Sequence, residues 1–313
     1  MSIIQFSNIK TKLRTPKVGY VIIIMAACFT GLIHSMTKPL LSITNPSGVL
    51  LNPLVFVAII YLINGVFFTP VRKDGAPLRK MRRRDILIIT AIGVAEVSGL
   101  VSYFFGLKQT TAVNASILTN GEIAFVVLIA LTIFRERLHK MEIIPFSAIV
   151  AGIIILPVGV EIIQSNLLPT NLLYGNLLIL LSGVFYATDV TLCKFVTNVD
   201  PKRITQLVSF VGAGVALFMI AMFQIPFTVN LMQLPSIILL GFFGTGMATF
   251  LFLISLKIIG TTRTILLYST NFAFGVIFAM AFLHETITVI NLTSIALASV
   301  GIYLLRSRLV SNE

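Results

Sequence analysis

The sequence predicts an all-α integral membrane protein whose ten transmembrane helices form two inverted five-helix repeats. Three observations lead to this fold class: an extreme apolar composition, ten regularly spaced apolar runs, and a weak similarity between the two halves of the chain. Hydrophobic residues make up 57% of the 313 positions and only 11% are charged. A soluble domain carries roughly 25% charged residues, so this composition indicates a polytopic membrane protein.

Apolar runs of about 20 residues, the length that crosses the hydrocarbon core of a bilayer, divide the whole chain. The loops between them are short and leave no stretch for a soluble domain, so we expect a single membrane unit. The predicted spans 1 to 10 cover residues 18–37, 49–69, 86–107, 112–134, 142–163, 172–193, 204–225, 234–256, 262–283 and 287–305.

The basic residues predict the orientation of these spans. If the N-terminus is cytoplasmic, all but three of the 23 Lys and Arg residues lie in cytoplasmic segments, the exceptions being Lys38, Lys108 and the span-end residue Lys194. Because Lys and Arg concentrate in cytoplasmic loops, we expect a multi-pass protein of the cell membrane with both termini in the cytoplasm. This distribution also accounts for the net charge of +12, so no nucleic-acid partner is expected.

The two halves of the chain are related by a shift of 149 residues, which places Glu136 on Glu285 and aligns the span boundaries around them. Each half holds five spans, an odd number, so the second copy must cross the membrane upside down. The loop after span 2 reads VRKDGAPLRKMRRR, whereas its counterpart after span 7, QIPFTVNLMQLP, has no basic residue. The predicted repeats are residues 1–165 and 166–313. Inverted repeats of this kind are typical of secondary transporters.

Two segments carry a resemblance to a known family. They read GLKQTTAVNASILTNGEIAFVVLIALTIFRERL in the first half and SLKIIGTTRTILLYSTNFAFGVIFAMAFLHETI in the second. Each has a short turn, a small and polar opening to the next span, and a Glu that closes it. The chain thereby resembles the ten-span, EamA-type exporters of the drug/metabolite transporter superfamily. The resemblance implies a central cavity lined by spans 1, 3, 4, 6, 8 and 9, and alternating-access transport of a small organic metabolite such as an amino acid, an amine or a drug-like solute.

Four ionisable side chains stand out inside the predicted spans: His34, Glu96, Glu122 and Asp189. A lone carboxylate at the centre of a bilayer costs on the order of 2.5–3.5 kcal/mol even on lenient scales, so each must face protein or a water-filled cavity. Helical spacing places further polar side chains on the same faces. These candidates for substrate binding or coupling are Tyr103, Thr119, Tyr186, Tyr268 and Asn271, the last being the repeat equivalent of Glu122.

Each candidate has a structural alternative. Glu122 either binds a cationic group or carries a proton, or it is a neutral acid that hydrogen-bonds a neighbouring helix. His34 is either a proton relay or a satisfied structural residue, and Asp189 either acts in transport or pairs with Lys194. Glu96 is similarly open. Glu136 and Glu285, at span ends, are interpreted as structural carboxylates that stabilise a helix N-terminus.

Spans 5 and 10 carry no charge in their interiors and show small-residue spacings such as Ser147/Ala151 and Ser294/Ala298, which suit close helix packing. We therefore expect these two spans at the periphery, where they would form the contact of a homodimer. The glycines of span 8 are interpreted as packing positions too, because no strand precedes them and no Lys follows, as a phosphate loop requires.

The remaining function classes lack their signatures. No protease motif, metal-ligand spacing or ATP-binding loop is found, so we expect neither an enzyme nor a bound metal or cofactor. No filter-like sequence favours a channel or receptor. The expected partners are the lipid bilayer and a small-molecule solute. A proton-coupled exporter is the specific hypothesis, and a facilitative uniporter is its alternative.

Overall fold

The computed structural model describes residues 16–42, 50–69, 81–135, 140–164 and 171–311, and the regular elements within these ranges are helices. Seven helical segments are long and apolar enough to cross a membrane, and three shorter apolar helices complete the ten-helix fold. The first five helices are α1 Pro16–Ser42, α2 Pro53–Phe67, α3 Arg83–Leu107, α4 in two halves Ala112–Leu118 and Gly121–Thr132, and α5 Lys140–Gln164. The second five are α6 Asn171–Cys193, α7 Pro201–Met222, α8 from Leu234 to Ile259, α9 in two halves Thr261–Tyr268 and Asn271–Leu283, and α10 Val289–Ser311.

The packing of these helices has the symmetry of an inverted repeat. Helix α6 packs against α3 and α4, and its counterpart α1 packs against α8 and α9 in the same way. Helix α2 corresponds to α7, and α5 corresponds to α10; in both cases the two corresponding helices pack against each other. This pattern confirms the predicted fold class of ten helices in two inverted five-helix repeats.

Helices α4 and α9 are both interrupted, which the sequence analysis did not anticipate because it treated spans 4 and 9 as continuous. The break in α4 falls at Thr119 and Asn120, and the break in α9 falls at Ser269 and Thr270. The Thr119 hydroxyl donates to the Ser116 carbonyl, and the two α9 hydroxyls likewise bond back to carbonyls three residues earlier. Such local bonds offer the backbone an alternative to the regular helix ladder, so two successive turns of different geometry form there.

Neighbouring helices approach both breaks at a glycine. A Cβ on Gly183 of α6 would lie 3.2 Å from the backbone nitrogen of Glu122, just after the break in α4. A Cβ on Gly31 of α1 would lie 2.8 Å from the carbonyl oxygen of Asn271, just after the break in α9. In each half, a glycine of the neighbouring helix therefore allows that helix to pack closely against the broken one.

Helix α8 contains a π-helical segment, Gly241–Met247, between two α-helical segments, Leu234–Leu240 and Ala248–Ile259. The side-chain amide of Asn64 donates to the Gly241 carbonyl at 3.1 Å and to the Thr245 hydroxyl at 2.8 Å. The glycines of this segment pack against α1 and α2, as the packing interpretation predicted. Segments of this kind occur frequently at functional sites.

Helices α5 and α10 pack mainly on one another. The Ser294 hydroxyl donates to the Gly152 carbonyl, and a Cβ on Gly152 would lie 3.1 Å from the backbone nitrogen of Ala298. The small-residue faces around Gly152 of α5 and Ser294/Ala298 of α10 therefore pack against each other. Ser147 and Ala151 instead border an open hollow on the outside of α5. A homodimer through α5 and α10 remains a prediction. Of the small-residue pairs named above, Ser147/Ala151 is the one that lies on an open face and could form such a contact.

Candidate functional site

A cavity with an empty volume of about 730 Å³, part of it open to solvent, lies where the two repeats meet. Its lining comes from the six helices that the family resemblance implied and also from α2, through Tyr61, and α7, through Ile204 and Val208. All four ionisable side chains singled out within the spans line it. They are His34, Glu96, Glu122 and Asp189.

Glu96 is 8% exposed and holds one carboxyl oxygen towards α8. The Thr249 hydroxyl donates to its Oε1 at 3.2 Å, whereas its Oε2 is buried next to the hydroxyl of Tyr61 without a hydrogen bond of regular geometry. Nearly all buried polar atoms are hydrogen-bonded, so this oxygen is a candidate position for a ligand.

Asp189 lies on α6, the helix that packs most extensively on the helix of Glu96. The Cys193 thiol donates to its Oδ1 at 3.4 Å. The alternative pairing with Lys194 does not form, because the Lys194 ammonium lies over the ring of Phe134, 3.8 Å from its centroid. Asp189 therefore faces the cavity without a basic partner among the described residues.

Glu122 lies in the first turn of the second half of α4, immediately after the break. It is 9% exposed and lines the cavity, and its carboxyl forms no hydrogen bond within the described part of the chain. Asn271 occupies the corresponding place after the break in α9 and lines the same cavity. Discontinuous helices near the midplane are where secondary transporters place their binding residues.

Aromatic side chains form much of the remaining wall. The hydroxyl of Tyr268 lies 2.8 Å from that of Thr30, and its ring lies 4.9 Å from the ring of Phe252. The Tyr186 ring lies 6.3 Å from the ring of His34, and the Tyr186 hydroxyl has no hydrogen-bond partner. These rings and the apolar side chains beside them form an apolar part of the cavity wall, in addition to the part that carries the carboxyl groups.

Two of the predicted site residues lie behind the cavity wall instead of on it. Tyr103 stacks on His34 with a centroid distance of 4.3 Å, and its hydroxyl donates to the His34 carbonyl, so it supports His34 from behind. The Thr119 hydroxyl donates to the Ser116 carbonyl at the break in α4, and Thr119 does not line the cavity. The regular helix assumed for the predicted stripe would have turned Thr119 towards Glu122, and the break removes that alignment.

The sequence analysis missed Tyr61, Thr245 and Thr249 as lining residues. Tyr61 is 1% exposed and borders the cavity, and its hydroxyl lies beside the Glu96 carboxyl. Tyr61 and Asn64 in the apolar interior of span 2 were a usable signal, because polar groups in a span seldom face lipid.

One end of the cavity is closed by Glu285. Its carboxylate pairs with Lys38 at 2.7 Å and accepts the backbone N–H groups of Ala112 and Val113, at 3.0 and 2.8 Å. It thus joins the end of α1, the start of α4 and the end of α9. The interpretation of Glu285 as a carboxylate at a helix N-terminus holds, but the helix is α4 and not the one that follows it. Glu136 lies outside the described residues.

The other end of the cavity extends towards the side where α1 and α3 begin. Ile92 near the start of α3, Cys193 at the end of α6 and Ile204 near the start of α7 all line it. We call this side the basic end, because Lys17, Arg83, Arg84, Lys202 and Arg203 lie in the first turns of α1, α3 and α7. We call the side with Lys38 and Glu285 the closed end.

Comparisons with known proteins agree with this fold. A sequence profile of the EamA-like transporter family matches residues 17–157 and again residues 173–307. A protein of Methanothermobacter thermautotrophicus, described as an uncharacterized transporter, is 28% identical over 303 residues, which cover 92% of this chain and 85% of the relative. The uncharacterized transporter YyaM of Bacillus subtilis is 22% identical over 259 residues, covering 80% and 81%. A solved crystal structure shares the fold with a TM-score of 0.66 and 15% identity, over 94% of this chain and 99% of its own.

Proposed function

The chain belongs to the EamA-like transporter family, and from that premise we propose that it exports a small organic metabolite by alternating access, with Glu122 as the carrier of a coupled proton. The family and its relatives establish a membrane transporter and not an enzyme. The direction of transport, the coupling ion and the site residues belong to the proposal.

The position of Glu122 carries this proposal. Its carboxyl lies in the cavity, follows a helix break and has no hydrogen-bond partner in the described chain, so no structural bond competes with a proton or a solute for it. Burying an isolated carboxylate is costly, whereas the neutral acid is tolerated, so the residue can alternate between two states as its surroundings change. The groups that face it across the cavity are Glu96, Asp189, Tyr186 and Tyr268.

The closed and basic ends support alternating access. The Lys38–Glu285 pair ties three helices together at one end, while the cavity reaches towards the other end. With the termini in the cytoplasm, as the basic loops predict, this arrangement is an inward-facing state of a protein in the cell membrane. Rocking of the two repeats about the breaks in α4 and α9 would open the closed end.

The test compares wild type with Glu122→Gln in proteoliposomes that contain a pH-sensitive dye. Pools of amino acids, amines and nucleosides are preloaded, and proton flux is recorded as each pool runs down its gradient. We expect one pool to drive proton flux in the wild type and Glu122→Gln to abolish it. Asp85→Asn is the matched control, since it makes the same carboxyl-to-amide change in the first turn of α3, outside the cavity lining.

Other outcomes overturn separate parts of the proposal. Solute movement without proton flux in the wild type would make the protein a facilitative uniporter. Unchanged flux in Glu122→Gln would return Glu122 to a packing role.

A further inference from the structure

We propose that the solute is an organic amine, whose ammonium group binds between Glu96 and Asp189 and whose apolar part lies against the aromatic wall. This inference rests on the proposed transport function and narrows its solute class. It also separates amines from amino acids, because a solute that carries a carboxylate as well would find no basic side chain in the described lining of the cavity.

The charges of the lining are the first argument. Three carboxyl side chains and no Lys or Arg are found among the described residues that border the cavity. Lys38 pairs with Glu285, and Lys194 lies on the Phe134 ring. Arg203, next to the lining residue Ile204, is buried; its Nη1 donates to Gln206, whereas its Nε and Nη2 have no partner. An ammonium group offsets part of this negative charge, whereas an anion would add to it in a medium of low dielectric constant.

Buried oxygens on the cavity wall are the second argument. The hydroxyl of Tyr186 is buried without a hydrogen-bond partner. Oε2 of Glu96 and the hydroxyl of Tyr61 are buried neighbours without a hydrogen bond of regular geometry, and all three side chains line the cavity. Glu96 and Tyr61 are 8% and 1% exposed. Carboxylate and hydroxyl oxygens accept hydrogen bonds, and an ammonium group offers three donors and no acceptor. These oxygens can therefore accept hydrogen bonds from an ammonium group.

Two helices supply the two carboxyls of this position. Glu96 is on α3 and Asp189 on α6, both line the cavity, and the two carboxyl groups lie within electrostatic reach of one another. The Thr249 hydroxyl donates to Oε1 of Glu96, and the Cys193 thiol donates to Oδ1 of Asp189. A cation shared by α3 and α6 would offset the repulsion between these two acids when both are ionised.

The apolar part of the solute has a matching surface. Tyr268 and Phe252 form an aromatic pair on the cavity wall, and Leu100, Val190 and Leu253 add aliphatic surface. Aromatic faces attract cations within about 6 Å of the ring centroid, so the Tyr186 and Tyr268 rings also favour a cationic solute. A flat or elongated amine fits this combination better than a sugar, whose many hydroxyl groups would need partners.

The test uses pairs of solutes that differ by one carboxylate: tyramine with tyrosine, phenethylamine with phenylalanine, histamine with histidine, and agmatine with arginine. Each is titrated against the purified full-length protein, and binding is measured from the shift of its thermal unfolding midpoint. 4-Ethylphenol serves as the uncharged counterpart of tyramine. We expect at least one amine to bind tenfold or more tightly than its amino acid, with no pair reversed. Any other result with the wild type overturns the proposal, including the absence of binding by every amine.

Variants locate the ammonium site. Glu96→Gln and Asp189→Asn should each weaken binding of the amine about tenfold or more, because each removes one charged acceptor. Asp85→Asn, on α3 but outside the cavity lining, should leave the affinity unchanged. Unchanged affinity in both cavity variants would overturn the location, and the comparison of wild-type solute pairs still decides the solute class if a variant fails to fold.

A transport measurement distinguishes a failure of this inference from a failure of the proposed transport function on which it rests. If proteoliposomes move a neutral or anionic solute and no amine, the transporter stands and the solute class is wrong. If amines bind and no solute of any class moves, the transport proposal is wrong instead.

Discussion

Replacing Glu285 with Gln tests whether the closed end of the cavity is a reversible closure. The carboxylate of Glu285 pairs with Lys38 and accepts two backbone N–H groups at the start of α4. Gln keeps the size of the side chain and one acceptor oxygen, but it loses the charge and the second acceptor. The state that is closed at this end should therefore lose stability relative to a state that is open there.

The magnitude follows from these contacts. The Lys38 and Glu285 side chains are 28% and 15% exposed, so the ion pair itself is worth at most about 1 kcal/mol. Loss of one charge-assisted bond to a backbone N–H adds roughly 1.5–3 kcal/mol. The sum, about 1.5–4 kcal/mol, corresponds to a population of the open state that rises roughly tenfold or more, since about 1.4 kcal/mol is a factor of ten.

Thiol labelling measures this population. Ser116 lies behind the closure on α4 and is 1% exposed, with its hydroxyl near that of Tyr103, and Ser116→Cys is a small change of side chain that serves as the reporter. The native thiols Cys28 and Cys193 are first replaced with Ser, and a small membrane-impermeant reagent is added from the closed side. We expect Glu285→Gln to raise the labelling rate about tenfold or more, in proportion to the population of the open state.

A second variant separates the contributions of the two contacts. Lys38→Gln removes only the ion pair, so the labelling rate should rise about fivefold at most, for a loss of up to about 1 kcal/mol. Rates within a factor of two of the parent protein in both variants would refute the closure. Glu285 would then be a static cap on α4.

Two further predictions concern the packing around α8. A Cβ on Gly244 would lie 2.3 Å from the Cβ of Ile33, so Gly244→Ala should destabilise the protein by about 1–3 kcal/mol. Gly214→Ala is its control, because nothing lies within 4 Å of the new Cβ there; equal unfolding midpoints for the two variants would contradict the packing argument. Asn64→Ala removes the donor to Thr245 and to the π-helical backbone and should lower the free energy of unfolding by about 1–3 kcal/mol, measured by thermal denaturation in detergent. A midpoint equal to that of the wild type would show that the π-helical segment holds without this amide.

Much of the fold could be predicted because the bilayer imposes simple rules on the sequence. Apolar runs of fixed length gave the ten helices, and the odd number of spans in each half gave the inverted repeat. The same cost of a buried charge that marks Glu96, Glu122 and Asp189 in the sequence also forces them into the cavity, where all three are found. Prediction was therefore best where a single large free-energy term decides the position of a residue.

Local geometry was harder to predict because small terms compete there. The hydroxyl of Thr119 can point into a cavity or bond back to the helix, at nearly equal free energy, and nothing in the sequence distinguishes the two. Tyr103 and Tyr186 were placed alike from spacing, yet Tyr103 stacks behind His34 and Tyr186 borders the cavity. The rotation of each helix about its axis decides such cases, and that rotation depends on contacts from the other half of the chain.

The two halves share an architecture but not a chemistry, and this contrast bears on the mechanism. The breaks in α4 and α9 are equivalent, and glycines of α6 and α1 approach them in the same way, so the scaffold has the same interruption in both halves. The residue after the break is Glu122 in one half and Asn271 in the other. Asn271 hydrogen-bonds without changing charge, whereas Glu122 can gain or lose a proton. The proposed coupling follows from this asymmetry: of the two residues that follow a break, only Glu122 can make the choice between inward-open and outward-open states depend on protonation.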